Sequence, residues 1–249
     1  MLDSKPPSSL GHMPDGAWKF DDAVVEVFDD MLARSIPDLA TMRDLVFEIG
    51  SRFAQADTDV VDLGCSRGAA MARLLEMLGA ANRFVGIDTS PPMLAVCRER
   101  FADAIASGRV EIRHDDLRTT YPPVRASLTL SILTLQFVPP VHRARVLADV
   151  WRTTLPGGAL ILVEKLAGHD RETDDLLVDI YHSTKRSMGY TQEEIERKRL
   201  SLQGVLVPHT AEHNERLLRE AGFSRVECFW RYLCFAGWVA IKTEDADGR

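Results

Sequence analysis

Short apolar runs, often β-branched, alternate with longer amphipathic stretches from residue 58 onwards. A short apolar run predicts a buried strand, and apolar residues that recur every three or four positions predict a helix. Regular alternation of the two is typical of βαβ units around a mostly parallel sheet. The predicted strands cover 59–63, 83–87, 109–113, 126–132, 158–164, 225–230 and 232–241, and the predicted helices cover 68–79, 91–104, 140–154 and 211–221.

Two helical patterns precede the first predicted strand. From Trp18 onwards, Phe20, Val24 and Phe28 recur at the spacing of one helix face. A second amphipathic stretch covers 38–53. We therefore expect two N-terminal helices packed against the α/β unit.

The polar segment 169–202 also has a helical pattern, and it interrupts the alternation between the fifth strand and the last helix. It predicts a helical lid inserted over the sheet. The predicted fold is α/β and Rossmann-like, of the class I methyltransferase type, with a seven-stranded mostly parallel sheet, N-terminal helices and this lid. We expect one domain at 18–243, a disordered tail at 1–17, where Pro, Ser and Gly are frequent, and a short tail at 244–249.

Composition narrows the class of protein. The 249 residues carry a net charge of −7, which disfavours direct nucleic-acid binding. No apolar run approaches the roughly 20 residues of a membrane span, so no membrane partner is expected. The four cysteines are far apart and form no CxxC pair, which favours a reducing cytoplasm and argues against disulfides and a metal site.

The turn after the first predicted strand is the strongest candidate for a ligand site. Asp62 is followed by Gly64, Cys65 and Ser66, and Gly68 precedes a predicted helix. Glycine permits positive φ and close approach of a ligand to the backbone. The first turn of a helix has free N–H groups. This combination predicts that a small-molecule ligand lies against the turn.

Acidic residues follow the next two predicted strands. Asp88 and Thr89 end the second strand, and Asp116 and Leu117 follow the third. A carboxylate at the end of the second strand is placed to accept hydrogen bonds from ribose hydroxyls. An acid after the third strand lies where an adenine amino group is expected. The ordered series predicts a nucleoside site.

Other interpretations of these motifs are weaker on positional grounds. A dinucleotide oxidoreductase usually carries GxGxxG, whereas Ser66 occupies the central position here. Residues 64–68 also match GxSxG of α/β-hydrolases, but that elbow follows several strands and requires later acid and histidine partners. The late histidines are His209 and His213. Their spacing suits a metal, but no third ligand accompanies them.

With these motifs in order, residues 58–165 resemble the class I S-adenosylmethionine-dependent methyltransferases. The matching stretches are DLGCSRG, GIDTS, HDDL and LPGGAL. The resemblance implies S-adenosyl-L-methionine as the cofactor. Its implied contacts are Asp62, Gly64, Cys65, Ser66, Asp88, Thr89, Asp116 and Leu117.

A more specific resemblance covers about residues 18–243 and is to the bacterial carboxy-S-adenosylmethionine synthases. The matching stretches are WKFDDAVVEVFDDMLARSIPD, DLGCSRGAA, TLQFVPP, PGGALILVEK, YHSTKRSMGYTQEEIERKR and AGF. That family implies conversion of S-adenosylmethionine and prephenate into carboxy-S-adenosylmethionine and phenylpyruvate, for modification of a transfer-RNA wobble uridine. It also implies a homodimer, and the apolar final hairpin is a candidate interface.

The resemblance assigns the new carboxylate to an arginine, which Arg199 matches here. A guanidinium binds a carboxylate through two parallel hydrogen bonds and keeps its charge. From the residues alone, Arg199 lies in the charge-rich run 193–199, where a solvated side chain is the simpler interpretation. Tyr181 is a candidate for a cation–π contact with the sulfonium, or else a buried residue of the lid.

Two positions depart from that family. Leu39 stands where the family typically has a tyrosine, and Ile132 stands where it has an asparagine; both family residues contact the ligand. Apolar replacements remove hydrogen bonds and change which substrate a site tolerates. A small-molecule methyltransferase, an intramolecular cyclase that forms a cyclic amino acid of the azetidine-2-carboxylate type, and a catalytically silent cofactor-binding protein therefore remain alternatives.

Overall fold

The computed structural model describes residues 16–243. The predicted tail at 244–249 lies outside the described residues, as do residues 1–15 of the predicted N-terminal tail. One seven-stranded sheet organises the described chain. Its strands are β1 (Asp59–Leu63), β2 (Arg83–Asp88), β3 (Val110–His114), β4 (Ala126–Ile132), β5 (Thr154–Lys165), β6 (Arg225–Tyr232) and β7 (Phe235–Ile241).

The spatial order of the strands is β3-β2-β1-β4-β5-β7-β6. Strands β1 to β5 run parallel, and β7 is antiparallel to both β5 and β6. The predicted mostly parallel sheet is thus confirmed. The chain builds outwards from β1 to β3 and then returns to β4 on the other side of β1. A reversal of this kind opens a crevice at the carboxyl ends of β1 and β4, where α/β proteins bind ligands.

Helices connect the strands and cover the sheet. They are α1 (Asp22–Ser35), α2 (Leu39–Ser51), α3 (Ala69–Leu78), α4 (Pro91–Arg100), α5 (Ala102–Ala106), α6 (Pro140–Thr153), α7 (Arg171–Ser187), α8 (Gln192–Leu202) and α9 (Ala211–Glu220). Helices α7 and α8 form the predicted insertion. Within residues 16–243, no helix has the length and apolarity that crossing a bilayer requires.

Alternate residues of the strands pack into two separate hydrophobic cores, one on each face of the sheet. Val60 packs with α2 and α3 on one face of the sheet, and Val61 packs with α6 and α9 on the other. Successive strand residues point to opposite faces, so a strand that is apolar at every position is buried on both sides. This burial explains why the strands were recognisable as continuous apolar runs.

Side-chain caps define where several helices begin. Asp21, Ser90, Asp170 and Thr210 each accept a hydrogen bond from a backbone N–H in the first turn of the following helix. Helix α8 has a full capping box: Thr191 accepts from the N–H of Glu194, and the Glu194 carboxylate accepts from the N–H of Thr191. The start of α8, and hence the direction of each of its side chains, is fixed by these two bonds.

Several predicted boundaries are wrong. The helix predicted at 91–104 breaks at Phe101, whose buried ring packs close to Gly68 and whose backbone leaves the helical region. The strand predicted at 232–241 begins at Phe235, because Leu233 takes up positive φ in the hairpin turn. The first helix begins at residue 22 rather than at Trp18, whose N–H donates to the carbonyl of Ser201 instead.

The boundary between α6 and β5 also differs from the prediction. Strand β5 begins at Thr154, not at 158, and so includes the Pro-Gly-Gly sequence that resembles a turn. A register shift in β4 lets Thr154 pair with Ala126, and the N–H of Gly157 donates to the carbonyl of Lys242. Gly157 takes up a φ of 75°, and the residues between Thr154 and Ala159 interrupt the ladder, so the segment is an irregular part of β5 that its bonds to two neighbours hold in the sheet.

Arg143 joins α6 to two loops that border the sheet. It is 1% exposed, and its guanidinium donates to the carbonyls of Val138, Gln136 and Val207. The buried carboxyl of Glu164 lies near enough to oppose the lowering of the Arg143 pKa that burial causes. A buried cation that satisfies three carbonyls is costly to remove, because those acceptors then lack partners.

We expect Arg143→Met to lower the free energy of unfolding by about 3 kcal/mol, since it removes three buried hydrogen bonds to a charged donor. Arg152→Met is the matched control on the same helix. Arg152 is exposed and pairs with Asp149 at the surface, so its loss should cost no more than about 1 kcal/mol. Urea unfolding of both variants measures the difference. Equal losses would show that the buried contacts do not stabilise the loops.

Candidate functional site

A cavity of about 710 Å³ opens at the carboxyl ends of the parallel strands, beneath α1, α7 and α8. Every residue that the sequence analysis proposed for the site lines it. They are Leu39, Asp62, Gly64, Cys65, Ser66, Asp88, Thr89, Asp116, Leu117, Ile132, Tyr181 and Arg199. The structure therefore brings the predicted cofactor residues and the predicted lid residues to one cavity.

The turn after β1 is held against the end of β2 by backbone hydrogen bonds. The N–H groups of Gly64 and Cys65 both donate to the carbonyl of Ile87, at 2.8 and 2.9 Å. The next N–H, that of Ser66, donates to the Asp88 carboxylate at 2.9 Å. Gly64 and Ser66 have φ of 72° and 52°. These positive values turn the chain sharply, so that the turn borders the cavity.

Glycine at position 64 is required by packing as well as by φ. A Cβ there would lie 2.3 Å from the hydroxyl oxygen of Thr134. A Cβ at Gly68 would lie 2.4 Å from the ring of Phe101. Both glycines thus allow neighbouring segments to approach the turn more closely than any side chain permits.

Asp88 is fixed from two sides. Besides the bond from Ser66, its other carboxylate oxygen accepts from the N–H of Ser90 at 2.9 Å. Burial raises the pKa of Asp88, while the N–H bonds from Ser90 and Ser66 lower it. A carboxylate held in this way at the cavity wall is oriented to accept hydrogen bonds from a diol such as ribose.

Asp62 lies next to Asp88 in a region with little solvent. Burial, and to a smaller extent the negative charge of Asp88, raises the pKa of Asp62 to about 7. A cation placed beside these two carboxylates would relieve both effects. S-adenosylmethionine carries an ammonium and a sulfonium group, so its charge fits this end of the cavity, and its ribose fits Asp88.

Asp116 has a partner that the sequence analysis missed. The guanidinium of Arg118 donates to both of its carboxylate oxygens: to Oδ1 from Nε at 3.0 Å, and to Oδ2 from Nε at 2.8 Å and from Nη2 at 2.6 Å. This hydrogen bonding lowers the pKa of Asp116, which favours its ionised form. An ionised acceptor beside the buried side chain of Leu117 suits recognition of an adenine amino group.

Cys65 and Ser66 do not have the surroundings of nucleophiles. A hydrogen bond with Cys97, together with burial, raises the pKa of the Cys65 thiol, which therefore stays protonated. The Ser66 hydroxyl donates to the sulfur of Met93 at 3.3 Å rather than to a histidine. The hydrolase interpretation of GxSxG therefore lacks its general base.

Tyr181 joins the lid to the N-terminal helices. Its side chain is 6% exposed, and its hydroxyl donates to the carbonyl of Ser35 at 2.7 Å. Its ring packs edge to face on Phe235 and has the ammonium groups of Lys165 and Lys185 within 4.9 and 5.3 Å of its centroid. Its burial agrees with one expected role, whereas the cations near its ring are lysines, so a contact with the sulfonium stays a prediction.

Arg199 lies at the rim of the cavity. Its side chain is 50% exposed and makes two hydrogen bonds to the Glu196 carboxylate, at 2.9 and 2.6 Å. An exposed ion pair of this kind contributes little stability, so Arg199 can release Glu196 and bind another carboxylate instead. Leu39 and Ile132, the two apolar departures, form part of the cavity wall and pack against the core.

Three lysines in the cavity were missed at the sequence level. Lys165, Lys185 and Lys198 all line it. Two of them lie in charge-rich helical runs, where solvated side chains are the usual outcome, so no local pattern marks them as buried. The ring centroids of His209 and His213 lie 4.0 Å apart in an edge-to-face arrangement. Among residues 16–243, no cluster of His, Cys, Asp and Glu side chains could hold a metal ion.

Comparison with known proteins agrees with this geometry. A family model described as a methyltransferase domain matches residues 60–158. The chain is 37% identical over 232 residues to the carboxy-S-adenosyl-L-methionine synthase of Erwinia tasmaniensis, covering 93% of this chain and 94% of that one. It is 39% identical to the protein of the same name from Wolinella succinogenes, covering 91% and 94%.

Solved structures agree on the fold. An O-methyltransferase family protein from Burkholderia thailandensis superposes with a TM-score of 0.64 at 20% identity, over 91% of this chain and 61% of that one. Fold, cofactor turn and full-length relatives together identify a transferase that depends on S-adenosylmethionine. The chain belongs to the family of carboxy-S-adenosyl-L-methionine synthases.

Proposed function

We propose that this protein converts S-adenosylmethionine and prephenate into carboxy-S-adenosylmethionine, phenylpyruvate and water. The observation that carries the proposal is a shared cavity: Arg199 borders the same space as the glycine turn and Asp88. A group that binds carboxylates therefore lies within reach of a nucleoside site. The relatives named carboxy-S-adenosyl-L-methionine synthases match nearly the whole chain, including the lid that carries Arg199.

The residues of the site contribute mainly by positioning. S-adenosylmethionine supplies a methyl group whose C–H bonds are acidified by the adjacent sulfonium. Asp88 orients the nucleoside of S-adenosylmethionine. Asp62 balances the positive charge of the cofactor at the same end of the cavity. Arg199 exchanges Glu196 for the carboxylate of the product, through the same two-bond geometry. The lid excludes water, which protects a reactive carbon from protonation.

Leu39 and Ile132 favour a second candidate function. Both side chains border the cavity and offer no hydrogen bond where the family has a tyrosine and an asparagine. A site with fewer polar contacts to the cofactor suits a reaction within the cofactor itself. In that reaction the α-amino group attacks the γ-carbon, and the products are methylthioadenosine, a four-membered cyclic amino acid and a proton. Methyl transfer to a small acceptor is the related alternative.

Location and assembly remain predictions. A cytoplasmic homodimer is expected from the family and from the widely spaced cysteines. The final hairpin was the candidate interface, but Trp230, Phe235 and Trp238 are buried in the protomer, and Tyr232 is the large hydrophobic residue that the hairpin exposes. A dimer interface would therefore need other surfaces in addition to the hairpin.

The first prediction concerns the products. Purified protein incubated with S-adenosylmethionine and prephenate should yield carboxy-S-adenosylmethionine and phenylpyruvate in equal amounts, measured by liquid chromatography and mass spectrometry. Without prephenate, the cofactor should stay intact. Methylthioadenosine formed without prephenate would instead support the cyclase. If the cofactor is unchanged in both reactions, the proposed function is wrong.

The second prediction separates Arg199 from its partner. Arg199→Gln should lower carboxylation about 10- to 100-fold, because it removes a charged two-bond contact with the product carboxylate. Glu196→Gln is the matched control, since it removes the competing carboxylate and should keep or raise the rate. Kinetics with prephenate as the varied substrate measure both. Equal losses in the two variants would mean that the surface pair acts as a structural unit.

The third prediction concerns Leu39 and Ile132, the apolar residues at two positions where the family has polar ones. The double variant Leu39→Tyr with Ile132→Asn restores the polar groups that the family has at these positions. We expect it to raise the rate of carboxylation at fixed S-adenosylmethionine and prephenate, measured as carboxy-S-adenosylmethionine formed per unit time. Leu39→Met is the control, since it changes shape without adding a hydrogen-bonding group. An unchanged rate would show that polar groups at these positions do not assist carboxylation.

A further inference from the structure

Three ammonium groups that line the cavity converge on two tyrosine rings, Tyr181 in the cavity wall and Tyr190 buried behind it. Lys165 ends β5, Lys185 belongs to α7 and Lys198 to α8. The nitrogens of Lys165 and Lys185 lie 4.9 and 5.3 Å from the ring centroid of Tyr181. Those of Lys185 and Lys198 lie 5.1 and 5.9 Å from the centroid of Tyr190. The three lysines, which we call the lysine cluster, therefore come from separate elements and occupy one corner of the cavity.

The lysine cluster has no acidic partner. Lys185 is 5% exposed and Lys198 is 6% exposed. Throughout the part of the chain that the structure describes, the ion pairs are made by arginines and one histidine, and none involves these three lysines. Lys198 donates to the Ser35 hydroxyl at 3.4 Å, which is a weak and neutral contact. Buried charges without counter-charges are rare, because desolvation is costly.

The surrounding charges add to the cost of burying the lysine cluster. Burial, and then repulsion by Lys165, lowers the pKa of Lys185 to about 8. Burial, followed by repulsion from neighbouring cations, lowers the pKa of Lys198 to about 7. The other ionisable groups that act on the cluster are Arg34, Asp174 and Cys234, and the cluster in turn lowers the pKa of His182. The balance is strongly positive.

The two ends of the cavity thus differ in charge. Asp62 and Asp88 make one end acidic and suited to the cationic cofactor. The lysine cluster makes another part basic, and it would repel a sulfonium. The aromatic rings of Tyr181 and Phe235 give that part an apolar surface as well. A ligand with two carboxylates and an apolar body satisfies both properties.

We propose that Lys165, Lys185 and Lys198 form the binding subsite for a dicarboxylate second substrate. The inference rests on the proposed function, because it identifies where the partner of S-adenosylmethionine binds. The two carboxylates of such a ligand would offset most of the positive charge of the cluster, and ammonium groups bind carboxylates through charge-assisted hydrogen bonds. The subsite is separate from Arg199, which lies at the rim and is paired with Glu196.

Direct binding tests the subsite without requiring turnover. Isothermal titration at pH 7 measures prephenate, and separately S-adenosylhomocysteine, against the wild type and the variants Lys185→Met and Lys198→Met. Methionine keeps the apolar stem and removes the charge. Each variant should bind prephenate about 10- to 100-fold more weakly, because one charge-assisted contact is lost. The Kd of S-adenosylhomocysteine should change less than about threefold. A change of that size is a smaller free-energy difference than the loss of one charge-assisted contact.

Lys242→Met is the matched control. The Lys242 ammonium lies 4.1 Å from the ring centroid of Trp151 and donates to the carbonyl of Trp151, outside the cavity lining. It is expected to bind both ligands as the wild type does. Phenylpyruvate, which has one carboxylate, should bind the wild type more weakly than prephenate and should be less sensitive to the variants.

The outcomes separate the two proposals. If prephenate binds and the variants weaken it, but no carboxy-S-adenosylmethionine forms, the subsite stands and the proposed reaction fails. If both lysine variants bind prephenate as tightly as the wild type, the subsite is wrong. If a variant loses both ligands or does not fold, Lys185→Arg and Lys198→Arg are measured instead. These keep the charge, and failure of both to retain prephenate binding when S-adenosylhomocysteine still binds would overturn the assignment.

Discussion

Three consecutive N–H groups of the turn after β1 donate to the end of β2, and the site depends on this arrangement. Gly64 and Cys65 share the carbonyl of Ile87, and Ser66 binds the Asp88 carboxylate. The turn and the acid that we propose to orient the nucleoside are therefore parts of one hydrogen-bonded unit. Close packing of Thr134 and Phe101 around the two glycines leaves the unit no room for a side chain. The hydrogen bonds that turn the chain after β1 therefore also set the orientation of the Asp88 carboxylate.

Much of this architecture could be predicted from the sequence, because parallel strands are buried on both faces and are apolar at nearly every position. The predicted cofactor residues follow directly from strand ends, so all of them lie at the cavity. Boundaries were less predictable where tertiary contacts override local pattern. Thr154 joins β5 through pairing with Ala126, and Phe101 ends α4 through packing. Neither cause is visible in the local sequence.

The lysine cluster shows a different limit. Lys185 and Lys198 occur among charged neighbours, and a helix with many charges is usually solvated. Their burial depends on α7 and α8 crossing over the cavity, which is a property of the tertiary structure alone. The acidic end was easier to predict, since Asp62 and Asp88 follow apolar strands. Sequence patterns thus indicated the cavity residues at the strand ends well and the buried lysines of the lid poorly.

The capping box of α8 has a consequence for how this helix tolerates change. Successive helical residues point about 100° apart. Lys198 is buried and its neighbour Arg199 is half exposed, so the position at which Thr191 and Glu194 start the helix determines which cation is enclosed. Loss or gain of a single residue between the cap and Lys198 would rotate the two cations past each other. The number of residues between the cap and Lys198 is therefore constrained more strictly than the identity of the exposed residues in this segment.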